Sequence, residues 1–209
     1  MILWLFFITI LGYLLGSIPG GYIVGKLVKG VDVRKYGSGN IGTTNVLRVL
    51  GKKYALFVFL IDFGKGAASV LIASLFPYGN LSPLVRSLTG MACITGHNWP
   101  LFLRFKGGKG VATSAGVFLI LTPLPFIFSF LTMVVVVGLT RYVSLGSMIS
   151  AALLPLYIGI FMKEEGVFYI FLGVAVALLV VFRHRSNIKR LLAGKESKLG
   201  ERIKIKGGK

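Results

Sequence analysis

The chain consists of long apolar runs separated by short basic breaks, and this pattern leaves few folds open to it. The runs lie at about residues 2–25, 54–77, 84–103, 111–140, 142–162 and 166–182. A helix needs roughly 20 apolar residues to cross a bilayer, so these runs are of spanning length or close to it. Because backbone amides in lipid must be paired within their own segment, the pattern predicts an all-α integral membrane protein.

Composition and charge narrow the function classes. The 209 residues are 55% hydrophobic and 14% charged, which argues against disorder and against a soluble domain. The 24 Lys and Arg, against 6 Asp and Glu, lie between apolar runs rather than on a soluble face. This placement favours loops beside anionic lipid, or an anionic substrate, over nucleic acid as a partner. We therefore expect one membrane domain over residues 1–209, with a basic cytoplasmic tail over about 195–209.

The number of spans depends on the run 111–140, which contains the sequence TPLP near its middle. It could be one kinked helix or a tight hairpin of two short helices. The segments 26–53 and 183–209 hold seven and ten basic residues, and the positive-inside rule places both in the cytoplasm. An even number of spans must then separate them, which selects the hairpin. The prediction is seven spans, with the N-terminus outside and the C-terminus in the cytoplasm.

The predicted hairpin has one weakness, which is its length. Each arm would hold about fourteen residues and rise about 21 Å, short of the roughly 30 Å hydrocarbon core of a bilayer. The arms would need support from neighbouring helices, flanking residues or a locally thinned bilayer.

Three segments in the breaks combine glycines with Lys or Arg: GSGNIGTTNVLR (37–48), GHNWPLFLRFKGGKG (96–110) and RHRSNIKRLLAG (183–194). Glycines let backbone N–H groups converge on an anion, and the nearby cations supply the counter-charge. On one side of a membrane, such segments predict a phosphate site at the lipid–water boundary. The simpler interpretations stay open: a flexible loop, a turn that obeys the positive-inside rule, and a basic stop-transfer end.

The first of these segments matches the dinucleotide pattern GxGxxG over residues 37–42, but no strand precedes it. It instead predicts a glycine loop followed by a short helix over residues 43–50, whose free N–H groups could bind an anion. Helical spacing puts Thr44 and Asn45 on the same face as Arg48.

The second segment lacks the Walker arrangement, because Lys109 is followed by Gly and Val rather than by Ser or Thr. In the third segment, a helical continuation of the last span would present Arg183, His184 and Asn187 together. The sequence RYVSLGS at 141–147 is a fourth, weaker element at the same kind of boundary.

Asp62 and Lys65 lie three residues apart within a span. An intramembrane charge marks a functional site by default. We nevertheless interpret these two residues as a structural ion pair.

The usual catalytic arrangements are missing from the sequence. It contains no GxSxG nucleophile elbow, no His-x-x-x-x-Asp acyltransferase pair, and few carboxylates for a paired acid and base. One cysteine and two histidines leave little for a metal site. An enzyme with this sequence should use an already activated substrate and act by positioning and charge neutralisation.

The motifs closely resemble those of the bacterial acyl-phosphate:glycerol-3-phosphate acyltransferases. The matching stretches are GSGNIGTTNVLRVLG, DFGKG, GHNWPLFLRFKGGKGVAT, RYVS and RHRSNIKRLLAGKE, spread from Gly37 to Glu196. The resemblance implies seven spans and an active site built from short loops at the cytoplasmic face of the bacterial inner membrane. It also implies transfer of a fatty acyl group from acyl-phosphate to the first hydroxyl of glycerol 3-phosphate. The products would be lysophosphatidic acid and phosphate, in phospholipid synthesis.

The resemblance also implies roles for individual residues. The catalytic set would be Ser38, Arg48, Lys109, Ser144, His184 and Asn187. The substrate-binding set would be Gly37, Gly39, Asn40, Thr44, Asn45, His97, Lys106, Gly107, Gly108, Gly110 and Arg183. No cofactor or metal is implied, and the expected partners are the substrates, membrane lipids and a soluble enzyme that makes acyl-phosphate. The donor's phosphate would accept the hydroxyl proton, with His184 as the competing base.

A transporter of a phosphorylated metabolite is the main alternative from another class. It would use the same basic loops, but it should show an inverted repeat and a site near the midplane. The polar motifs of this chain cluster at one edge instead, which favours the enzyme.

Overall fold

A computed structural model describes residues 2–76, 78–162 and 166–202. In that part of the chain all regular structure is helical, which confirms the all-α prediction. The α-helices are α1 (Ile2–Gly16), α2 (Gly20–Lys29), α3 (Thr43–Leu50), α4 (Lys52–Ser74), α5 (Ser82–Asn98), α6 (Val111–Leu121), α7 (Pro123–Thr140), α8 (Val143–Phe161), α9 (Val167–Arg183) and α10 (Arg185–Leu192). The predicted basic tail falls within the described residues only as far as residue 202.

Several helices are long and apolar enough to cross a membrane. Among the described residues, four segments qualify: Leu3–Lys29, Lys52–Ser74, Pro123–Thr140 and Val143–Phe161. The bent pair α9–α10 would be a fifth if it counts as one span. Their outward faces carry large apolar side chains in the open, as on α7, where the exposed residues include Leu124, Ile127, Phe130, Leu131, Val134 and Val135. An apolar outer surface of this extent belongs in lipid rather than in water. The chain is a multi-pass membrane protein.

Local sequence explains where two of the apolar runs break. The predicted first span, 2–25, is divided between α1 and α2 at residues 17–19, where Pro19 lacks the N–H that a continuous helix would need. The run 111–140 breaks at Thr122, directly before Pro123.

The break at Thr122 confirms the predicted interruption. Val111 at the start of α6 and Val137 near the end of α7 line the same cavity, so the chain turns back on itself there. The arms are unequal, however, with 11 residues in α6 and 18 in α7, so the expectation of two arms of about fourteen residues was wrong. Pro at the first position of α7 fixes the break about one helical turn before the midpoint of the run.

Glycines let the helices that carry the site approach one another closely. A Cβ on Gly16 of α1 would overlap the carbonyl of Cys93 on α5, and one on Gly116 of α6 would overlap that of Phe63 on α4. Small residues at such crossings bring helix backbones into contact, as is common in membrane bundles. The main apolar core lies beside these crossings and includes Ile94, Val117, Phe118, Ile158 and Val176.

Candidate active site

A cavity of about 390 Å³ lies among α3, α4, α6, α7, α8 and the α9–α10 junction. Its polar wall comprises Ser38, Asn40, Thr43, Thr44, Asn45, Arg48, Asp62, His97, Lys109, Ser144, Ser147, His184, Asn187 and Glu196. Its apolar wall includes Leu47, Phe59, Phe63, Phe126, Phe130, Met133, Val137 and Leu199. The cavity can therefore hold both a charged group and an alkyl chain.

Asn45 organises the first motif. Its buried side-chain amide donates to the carbonyls of Val33, Tyr36 and Asn40 at 3.0, 3.2 and 2.7 Å, and its Oδ1 accepts the Ser38 amide at 2.9 Å. These bonds fold the loop before α3 back over the helix and place Ser38 at the cavity. The helix itself runs from Thr43 to Leu50 as predicted, and Gly51 follows it with a φ of 93° that favours glycine.

The glycine loop, residues 105–110, presents Lys109 to the cavity. The Gly108 amide donates to the carbonyl of His97 at 3.0 Å, and a Cβ at this position would overlap the His97 ring. On its other side, the Arg183 guanidinium donates to the carbonyls of Gly107 and Gly108 at 2.6 to 3.2 Å. Arg183 thus holds the loop and does not line the cavity.

The Lys109 ammonium donates to Oδ1 of Asn187, on α10. Burial lowers the pKa of Lys109 to about 8, although the Glu196 carboxylate opposes this shift. Lys106 in the same loop is exposed and is not among the residues that line the cavity. The two lysines therefore have different environments, which a simple positive-inside turn would not require.

Glu196 lines the cavity although it was not among the predicted site residues. Its Oε1 accepts the Ser144 hydroxyl at 2.8 Å and the Asn187 amide at 2.6 Å, and its Oε2 accepts Arg190 Nε at 2.7 Å. Burial alone would raise the pKa of Glu196, but these hydrogen bonds outweigh burial and hold the pKa below its usual value. The carboxylate therefore joins α8 to α10. One signal in the sequence could have identified Glu196 as a site residue. It is a carboxylate at the end of the motif RHRSNIKRLLAGKE, in a tail that is otherwise rich in lysine.

The segment that follows Glu196 crosses the edge of the cavity. Arg48 donates to the carbonyl of Ser197 at 3.2 Å, and Arg141 and Leu199 exchange backbone and side-chain hydrogen bonds at 2.7 and 2.9 Å. Arg48 is thereby tied to the C-terminal segment while its side chain lines the cavity.

His184 lies where α9 ends and α10 begins, at a bend of 57°. The chain does continue as a helix after the last span, but across this bend, which brings His184 and Asn187 to the cavity and leaves Arg183 outside its lining. The Nδ1 atom of His184 lies 2.8 Å from the carbonyl of Val180. A carbonyl only accepts, so Nδ1 carries the proton and Nε2 is left as the basic nitrogen of the neutral ring.

The structure brings most of the predicted residues to this cavity. All six of the predicted catalytic set line it, and five of the substrate-binding set do so: Asn40, Thr44, Asn45, His97 and Gly110. The other six do not: Gly37, Gly39, Lys106, Gly107, Gly108 and Arg183. Of these, Gly37 and Gly39 turn the first loop with φ values of 60° and 71°, and Gly107 and Gly108 form the loop that carries Lys109. The roles within the reaction remain predictions.

Sequence comparisons place these features among known proteins. The family model for glycerol-3-phosphate acyltransferase matches residues 6–194. The glycerol-3-phosphate acyltransferase of Thermoanaerobacter sp. (strain X514) is 46% identical over 198 residues, covering 95% of this chain and 97% of that protein. That of Shouchella clausii (strain KSM-K16) is 45% identical over 204 residues, covering 97% and 99% of the two chains.

Structural comparison leads to the same group. The crystal structure of PlsY (YgiH), an integral membrane glycerol 3-phosphate acyltransferase, in its glycerol 3-phosphate form, matches with a TM-score of 0.87 and 43% identity. The match covers 94% of this chain and 96% of that one. The lysophosphatidic acid form of the same enzyme matches with a TM-score of 0.84. From its sequence and from its fold, this chain belongs to the glycerol-3-phosphate acyltransferase family.

Proposed function

We propose that this chain transfers a fatty acyl group from acyl-phosphate to the sn-1 hydroxyl of glycerol 3-phosphate. The products are lysophosphatidic acid and inorganic phosphate. The observation that carries the proposal is the cavity itself, which is lined both by Lys109, Arg48 and the first loop and by apolar residues of α7. PlsY, whose solved forms contain glycerol 3-phosphate and lysophosphatidic acid, shares this fold at 43% identity.

The chemistry suits a site with few carboxylates. The hydroxyl oxygen of glycerol 3-phosphate attacks the acyl carbon, the bond from that carbon to the phosphate oxygen breaks, and its electron pair leaves with phosphate. Because acyl-phosphate is a mixed anhydride, no covalent enzyme intermediate is needed. The hydroxyl proton goes to the departing phosphate, and Nε2 of His184 is the competing acceptor.

The residues of the polar wall have separate tasks in this scheme. Lys109 and Arg48 neutralise the two phosphate groups as charge moves onto the leaving phosphate. Ser38, Thr44 and the first-loop amides orient glycerol 3-phosphate. Asn187 keeps the Lys109 ammonium in place, and Glu196, which also accepts from Ser144, holds Asn187. The acyl chain lies along the apolar wall, between the helices and open to lipid.

We further propose a single membrane domain of seven spans: α1 with α2, then α4, α5, α6, α7, α8 and α9. The N-terminus is outside, and the site faces the cytoplasm of a bacterial cell, across its inner membrane. The basic segments around the cavity support this orientation. A soluble enzyme that supplies acyl-phosphate would approach from the same side.

Cysteine labelling tests the orientation. In a Cys93→Ala background, a cysteine at the exposed position Asn80 should react with an impermeant thiol reagent added from outside. A cysteine at Ser38 or at Ser186, also exposed, should stay unlabelled until the membrane is opened. The opposite pattern would place the cavity on the outer face and contradict the assignment.

A phosphate-release assay tests the reaction. Purified protein in lipid, given acyl-phosphate and glycerol 3-phosphate, should release phosphate and form lysophosphatidic acid in equal amounts. Acyl-CoA should be a poor donor, because the His-x-x-x-x-Asp pair of enzymes that use it is missing from the sequence. Absence of turnover with either donor would contradict the proposal and return attention to transport of a phosphorylated metabolite.

A further inference from the structure

A charged cluster lies inside the bundle beside the glycine loop, and two of its members, Asp62 and His97, also line the cavity. Asp62 and Lys65 of α4 form an ion pair of 2.9 Å, and Nζ of Lys65 lies 3.0 Å from Nδ1 of His97, in the last turn of α5. The three residues are 1%, 6% and 3% exposed. Ionised side chains at this depth in a membrane protein are costly and are retained where they serve the fold or the site.

The cluster also reaches the break between α1 and α2. The Lys65 ammonium donates to the carbonyl of Ile18 at 2.8 Å, which lacks a helical partner because the chain turns there. Lys65 therefore ties together α4, α5 and the first break of the bundle. Its ammonium nitrogen lies within 3.0 Å of Asp62 Oδ1, of His97 Nδ1 and of the Ile18 carbonyl oxygen.

His97 carries the effect of the cluster to the glycine loop. Nδ1 of His97 lies 3.0 Å from Lys65 Nζ and 3.4 Å from Asp62 Oδ1, so both members of the ion pair hold the ring in one orientation. The edge of this ring lies where a side chain at Gly108 would be, and the His97 carbonyl accepts the Gly108 amide at 3.0 Å. Lys109 is the next residue along the chain.

We infer that Asp62 and Lys65 are positioning residues for acyl transfer. They fix the His97 ring, the ring supports the glycine loop, and the loop sets the place of the Lys109 ammonium. The inference rests on the proposed function for its kinetic consequence, but the support of the loop is a separate physical claim. A displacement of about 1 Å in a reacting group can cost on the order of 100-fold in rate.

The double variant Asp62→Asn/Lys65→Met separates positioning from folding. Replacing a buried ion pair by uncharged groups of similar size is often neutral for stability, whereas removing one partner leaves a costly unpaired charge. We expect the double variant to melt in detergent close to the unmutated protein and to lose about 10- to 100-fold in turnover. Hydrogen exchange of the amides in residues 105–110 should be faster.

Ser69→Ala is the matched control, because Ser69 is also buried on α4 but donates only to the Gly66 carbonyl. It should change neither turnover nor loop exchange. Asp62→Glu provides a second variant that keeps both charges while displacing the pair. It should accelerate loop exchange and reduce turnover even if the double variant does not fold.

Unchanged loop exchange and turnover in folded Asp62→Glu, or in the folded double variant, would overturn the inference and leave the cluster a purely structural pair. The proposed function fails differently, through lack of acyl transfer by the unmutated protein. Loop exchange would still decide the positioning claim in that case, because it is measured without substrate.

Discussion

Two charged clusters flank the cavity, and they are built in opposite ways. The inner cluster, Asp62 with Lys65 and His97, joins α4 to α5, and each of these helices packs backbone to backbone with another helix, α4 with α6 and α5 with α1. The outer cluster, which consists of Glu196 with Ser144, Asn187 and Arg190, joins α8, α10 and the C-terminal segment through one carboxylate. The inner wall of the site is thus set by helix packing and the outer wall by side-chain hydrogen bonds.

Lys109 lies between the inner and the outer cluster. The loop that carries it rests on His97 from behind, and its ammonium donates to Asn187 in front. Helix packing fixes the position of the glycine loop through His97, and the hydrogen bonds around the Glu196 carboxylate fix the position of the Lys109 ammonium through Asn187. We therefore expect single substitutions to reduce turnover most at Lys109, and next at Glu196.

Lys109→Ala should have the largest effect. Removal of one preorganised contact to a developing charge typically costs on the order of 100- to 1,000-fold in turnover. Lys109→Arg should recover only part of it, because a planar guanidinium does not occupy the place of a compact ammonium. The measurement is the rate of phosphate release from acyl-phosphate in the presence of glycerol 3-phosphate.

Lys106→Ala is the control for that experiment, since Lys106 is an exposed lysine of the same loop. It should stay within about twofold of the unmutated protein, as surface substitutions commonly do. Equal losses in the two alanine variants would mean that the lysines act only through the overall charge of the loop.

Glu196→Gln should have the next largest effect and tests the outer wall. The amide keeps the size of the side chain but loses the charge that three donors share, and hydrogen bonds to charged groups contribute about 1.5–3 kcal/mol each. We expect turnover to fall on the order of 10-fold and Lys109 to become less well placed. Glu201→Gln, an exposed carboxylate in the same segment, should be without effect. Full activity of Glu196→Gln would show that packing, not the carboxylate, sets both walls.

The pH profile gives the smallest effect and reports on Lys109 directly. Its pKa is lowered to about 8, so the ammonium form is complete below pH 7 and is lost as pH rises through 8. We expect kcat/KM for glycerol 3-phosphate to fall by about half at pH 8 and further above it. Lys109→Arg should move this fall to higher pH, because a guanidinium stays protonated. A profile that is the same in both proteins would assign the titration to another group.

Local signals in the sequence predicted much of the fold. Gly51 ends α3, and the Thr-Pro sequence at 122–123 divides the fourth apolar run, because glycine and proline act on the backbone wherever they occur. The break between α1 and α2 also lies beside a proline, Pro19, but it was not predicted, because the apolar run around it continues without interruption.

The hydrogen bonds that join the site could not be predicted from local sequence, because they link residues far apart in the chain. Ser144 and Glu196 are 52 residues apart, and Lys109 and Asn187 are 78 apart. Asp62 and Lys65 were recognisable as a pair from their spacing, and the structure confirms that pair. Their contact with His97 was not predictable, since it depends on how α4 packs against α5.

The most direct test of the central claim uses glycerol 3-phosphate labelled with ¹⁸O in its sn-1 hydroxyl. If that oxygen attacks the acyl carbon of acyl-phosphate, the label must appear in the ester of the lysophosphatidic acid formed by the purified protein. The released phosphate should then carry no label, which mass spectrometry of both products can establish. Label in a new phosphate ester of glycerol, with free fatty acid as the other product, would mean attack at phosphorus and would contradict acyl transfer.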